Sequence, residues 1–143
     1  MYFWNSAKLA SEIKLGQLTG KQKKTYYLAS SLLALFSSFL AGSSITTGAT
    51  EIVELFLLVI ITIIGINLTY TANGGENGHD YIERITILSF PIILKVLAIY
   101  IAIAVIIGIS DGRISQEMFV LIVSSAEMVY FWLLFNHFKE INA

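Results

Sequence analysis

Hydrophobic positions in this chain gather into four long, nearly unbroken stretches, unlike the alternation of a strand or the single stripe of a soluble helix. Residues 25–43, 51–71, 81–109 and 115–138 are each about long enough as helices to cross a hydrocarbon layer of roughly 30 Å, which takes roughly 20 residues. The pattern predicts an all-α, integral membrane four-helix bundle. Polar residues punctuate the stretches at 43–50, at a Gly/Asn-rich segment over 73–80, and at a tight turn over 110–113. Connections this short force successive spans to run antiparallel. Tyr26 and Tyr27 lead into the first span at the depth of interfacial aromatics. Glu51 and Glu54 open the second, where carboxylates suit the positive end of a helix dipole. Asp80 and Glu83 are spaced as an N-cap and its reciprocal partner, marking the start of the third. That third stretch exceeds what a perpendicular crossing needs, and Pro91 predicts a kink inside it.

Residues 1–24 form a basic amphipathic leader, with Lys8, Lys14, Lys21, Lys23 and Lys24 set against Glu12 alone. A helix over residues 2–15 places Tyr2, Leu9, Ala10 and Ile13 on one face and Asn5, Lys8 and Glu12 on the other. With Phe3 and Trp4 at its start, this segment reads as a short helix lying in the membrane interface, the other reading being a loosely ordered basic leader. The 24 residues ahead of the first span are too long for a signal-peptide n-region, and Phe39-Leu40-Ala41 is a poor cleavage site, so that span is expected to be retained. The leader, Arg84 and Lys139 fall on one side of the four crossings and Arg113 on the other. Lysine and arginine accumulate in short cytoplasmic loops, so both termini and the central loop are expected in the cytoplasm, at the inner membrane if the cell is bacterial.

Composition narrows the function classes. The chain is 56% apolar and 13% charged, about half the charged share of a soluble domain, which leaves the lipid bilayer as the expected surrounding. A net charge of −1 without a basic stripe argues against nucleic acid as a partner. The absence of cysteine removes disulfides, thiolate nucleophiles and cysteine-based metal centres. Four spans and their loops use nearly all 143 residues, leaving no stretch for a soluble catalytic domain.

Two ionisable residues fall within the apolar stretches. Lys95 lies 17 positions before Gly112 and Glu127 lies 15 after it. At about 1.5 Å per residue the two differ by roughly 3 Å in depth. An ionisable group there costs roughly 2.5 to 3.5 kcal/mol on insertion scales and calls for a partner, so an ion pair between the third and fourth spans is expected. Three roles stay open: a bridge that fixes helix register, an ion or proton path, or a lysine reaching back to the cytoplasmic surface.

Ser30, Ala34, Ser38 and Gly42 recur every four residues on the first span, with Ser37 and Ala41 beside them. Small residues at that spacing let helix backbones approach closely, either within one chain or between copies of a homo-oligomer. A shorter pair, Ala98 and Ala102, continues the face of the third span that carries Pro91 and Lys95. The 73–80 segment offers Asn73, Glu76, Asn77, His79 and Asp80 as a candidate partner-docking loop, against the plainer reading of a turn with a helix cap. It matches no calcium or zinc spacing, so no metal is expected. His137, beside Lys139, reads as the interfacial end of the fourth span. No catalytic residues or cofactor motif stand out, since neither histidine falls within a glycine-bracketed serine motif or a helical His pair and no Walker loop is present.

In size, layout and central loop the chain resembles the small four-helix membrane subunits of bacterial two-gene systems, including the membrane component of Kiwa-type phage defence. The resemblance implies a setting in bacterial phage defence and brings no residue roles with it. The expected function is that of a non-enzymatic subunit that oligomerises and presents cytoplasmic segments to a protein partner or senses the membrane. The alternative is a small channel or transporter using Lys95 and Glu127, with Asn67 and the serines of the first span.

Overall fold

The computed structural model describes residues 2–41, 49–111 and 115–143, and the side chains of residues 2–33, 52–109 and 115–143. Among these the protein is all-α, with no strand. The helices are α1 (Ser6–Lys14), α2 (Gly20–Ala41), α3 (Ala49–Ala72), α4 (Tyr81–Asp111) and α5 (Gln116–Asn142). Residues 42–48, which hold Gly42 and most of the first connection, and residues 112–114, which hold Gly112 and Arg113, lie outside the described residues.

Local chemistry sets the helix ends. Asn5 caps α1 by accepting from the Lys8 N–H at 3.0 Å. The helix stops at Gly16, whose φ of +64° suits a residue without Cβ. There the Gly16 and Gln17 N–H groups donate to the carbonyls of Ile13 and Glu12, the paired bonds of a Schellman stop. Thr19 and Gln22 then form a reciprocal capping box: Gln22 Oε1 accepts from the Thr19 N–H and Thr19 Oγ1 from the Gln22 N–H. α2 therefore starts five residues before the apolar stretch does. Ser115 caps α5 through the Met118 N–H.

Among the described residues, three helical segments, Ile52–Ala72, Tyr81–Ile109 and Gln116–Asn142, are long and apolar enough to cross a membrane. α4 runs through Pro91 as one helix, with the proline buried. The main helix contacts among the described residues run α3 to α5, α5 to α4, and α4 to α2, with α1 laid across α4 and α5. Among the described residues these contacts thus link α3, α5, α4 and α2 in a row. α4 and α5 each pack on three other helices, and the buried positions Val120, Ser124, Leu134, Phe138 and Ile141 of α5 follow the three-and-four spacing of a packing seam.

The core sits toward one end of the helices, where α1 lies against them. Leu9 and Ala10 of α1 and Leu18 join Tyr26, Ile87, Leu88, Ile92, Val96, Leu134, Phe138 and Ile141 in one buried cluster. The predicted leader face is real, since Tyr2 and Ile13 also pack against that cluster. It faces protein, however, where the sequence pointed to the membrane interface. The Tyr2 N–H donates to Tyr26 Oη at 2.7 Å, and Phe3 sets its ring against Tyr26 and Phe90.

Candidate functional site

Two polar sites interrupt the apolar packing. The first begins with Ser6, which shares the leader's buried face with Leu9 and Ala10 and is 3% exposed. Lys95 Nζ of α4 donates to Ser6 Oγ at 2.9 Å, and the same oxygen lies 2.9 Å from Nε2 of His137 on α5. The other ring nitrogen of His137 faces Glu140 at 3.5 Å. Ser6 is thus the hub through which three helices share one polar cluster. Lys14 adds a second tie from α1 by donating to the Glu140 carbonyl at 3.2 Å. A serine and histidine in contact invite comparison with a hydrolase, yet Ser6 is enclosed and already takes a hydrogen bond from a lysine, the position of a structural hub.

The second site belongs to Glu127. α3 and α4 both pack on α5 but not extensively on each other, and the space left between them is a groove of about 640 Å³. Leu58 and Thr62 of α3, Ile93, Leu97 and Tyr100 of α4, and Ala126, Glu127 and Tyr130 of α5 line it. Thr62 Oγ1 donates to Glu127 Oε1. Glu127 Oε2 is buried and has no hydrogen-bond partner among the described residues, and the same holds for Ser124 Oγ one turn earlier. Tyr130 is held in place by its hydroxyl contact to Ser89 Oγ at 2.7 Å.

The expected Lys95–Glu127 pair is therefore corrected. Neither residue appears in the ion pairs among the described residues, Lys23–Glu83 and His137–Glu140. Counting residues from a turn gives height along a helix and says nothing of direction around it. Lys95 faces α1, and Glu127 faces α3.

Of the small-residue ladder on α2, Ser30 donates to the Thr86 carbonyl of α4 at 3.1 Å, a contact within the chain. Gly42 and the side chains of Ala34 and Ser38 lie outside the described residues. A close approach is found elsewhere: a Cβ on Gly65 of α3 would clash with the ring of Phe131 on α5.

The 73–80 loop is built around a buried residue. Asn73, 1% exposed, donates from Nδ2 to the His79 carbonyl and accepts at Oδ1 from Arg84 Nη1 at 3.0 Å. The same Arg84 nitrogen reaches Asn142 Oδ1 at 3.1 Å, and Asn142 Nδ2 donates to the Ala72 carbonyl at 2.9 Å. Asn73 is thus an internal brace, while Glu76, Asn77, His79 and Asp80 are exposed. The Asp80–Glu83 capping pattern is also corrected. Asp80 sits at φ +53°, outside the usual N-cap region, and Glu83 pairs with Lys23 of α2.

Sequence reasoning passed over Ser6, Thr62, Gly65 and the partner of His137. Ser6 carried a legible signal: it is the polar member of the leader's apolar face, at the 6, 9, 10, 13 spacing. No protein-family model matches this chain, and neither a curated protein nor a solved structure matches it.

Proposed function

We propose that this chain is a non-enzymatic, multi-pass membrane protein whose leader, central loop and tail form one cytoplasmic docking end for a protein partner. The observation that carries the reading is the interlocking of those segments: Lys14 reaches the α5 terminus, Lys23 reaches the start of α4, and Arg84 joins the loop to Asn142. Segments distant in sequence thereby become one surface that displays Lys8, Lys21, Lys24, Glu76, Asp80 and Lys139. Residues 52–66 of α3 and much of the far half of α4 leave large apolar side chains uncovered, far more than a soluble monomer tolerates, which supports lipid around that belt. Seven of the nine basic side chains gather at the docking end, which supports its cytoplasmic placement. Self-association through the side of α2 that carries Tyr27, Leu28 and Leu32 belongs to the same proposal, since α2 packs mainly on α4. The setting in bacterial phage defence rests on the resemblance of size and layout.

Photo-crosslinking residues at Glu76 and Lys139 test the docking end, with Trp132, 62% exposed in the apolar belt, as the comparison. A soluble protein captured reproducibly from the first two positions and not from the third supports the proposal. Equal capture from all three positions, or none from Glu76 and Lys139, rejects it. Native mass in mild detergent decides self-association, which a strictly monomeric protein ends.

A further inference from the structure

We infer that the groove between α3, α4 and α5 is a binding site for a lipophilic organic cation, with Glu127 as its counter-charge. A carboxylate within an apolar helix is expensive unless paired, and a buried unpaired polar atom is itself costly. Thr62 accounts for one oxygen of Glu127, while the other is buried without a partner among the described residues. Lys95, the one basic side chain within reach by depth, is committed to Ser6. The missing interaction is therefore that of a cation or donor from outside the chain.

The lining decides which kind. A hard metal ion takes six or more oxygen ligands, whereas this groove supplies one carboxylate, the Thr62 and tyrosine hydroxyls, and otherwise aliphatic and aromatic carbon. Tyr100, Tyr130 and Phe131 bring aromatic rings to the lining, and such rings attract a cation whose charge is spread over an organic shell. A volume of about 640 Å³ falls in the range of sites for drug-sized ligands. The groove also lies between two helices that each expose apolar residues beside it, so a ligand dissolved in the bilayer reaches it sideways. None of the residues that line this groove takes part in the ties of the docking end, and the inference stands independently of the function proposed for that end.

Tetraphenylphosphonium and tetraphenylborate, matched in size and shape and opposite in charge, provide the test by equilibrium dialysis against the full chain in detergent, with empty micelles subtracted. Saturable binding of one phosphonium per chain, and none of the borate, is expected. Glu127→Gln should weaken phosphonium binding at least tenfold and Glu127→Asp much less. Leu97→Trp, which fills the groove and leaves the carboxylate, should also abolish it. Equal uptake of both ions, or unchanged binding by Glu127→Gln, overturns the inference and makes the groove an apolar slot for lipid chains. Where Glu127→Gln fails to fold, the charge discrimination of the native chain and the Leu97→Trp result decide.

Discussion

Lys95 donates to Ser6 at 2.9 Å across 89 positions of sequence, and this contact ties the leader to the middle of α4. Ser6→Ala removes the acceptor and strands a partly buried ammonium, at a cost of about 1–3 kcal/mol. Thermal unfolding in detergent should register that loss, and trypsin should cut at Lys8 and Lys14 sooner than in the native protein. Unchanged digestion would mean that Leu9 and Ala10 hold the leader without the hub.

Coupling between residues distinguishes the observed partners from the ones that depth alone suggested. A double-mutant cycle on Lys95→Met and Ser6→Ala should depart from additivity, whereas Lys95→Met and Glu127→Gln should add within about 0.5 kcal/mol. Strong coupling in the second cycle would contradict the separation of the two sites.

Gly65 and Phe131 mark a close passage between α3 and α5. Gly65→Ala places a methyl where the ring sits, an overpacking that costs about 1–3 kcal/mol, and Phe131→Leu in the same chain should recover part of it. Stability measured on the single and double variants checks this. A neutral Gly65→Ala would show that the ring moves aside freely.

Gly78 has an ordinary φ of −74°, so its requirement for glycine comes from its neighbour and not from its own backbone. A Cβ there would strike the Asn73 carbonyl and amide. Gly78→Ala should displace Asn73 from Arg84 and speed amide hydrogen exchange over residues 73–80, with Arg84→Met producing a similar loosening through loss of both asparagine contacts. Exchange unchanged in both variants would show that the loop does not depend on this brace.

The lengths of α3, α4 and α5 were legible in the sequence to within a few residues, because a helix that faces mostly lipid or solvent is bounded by where apolar side chains stop and capping groups begin. The leader helix and its buried face were legible for the same reason, from the spacing of Tyr2, Leu9, Ala10 and Ile13. The start of α2 was displaced because hydropathy reports where the chain becomes apolar, while the Thr19–Gln22 box reports where it becomes helical. What only the tertiary structure decided is which faces meet. Helix packing turns Lys95 toward the leader and Glu127 toward Thr62, although the two lie at one depth. Residue counting supplies the coordinate along a helix at 1.5 Å per step. The angle around it is set by packing, here by a small residue such as Gly65 admitting a ring, and those contacts exist only once the helices have assembled.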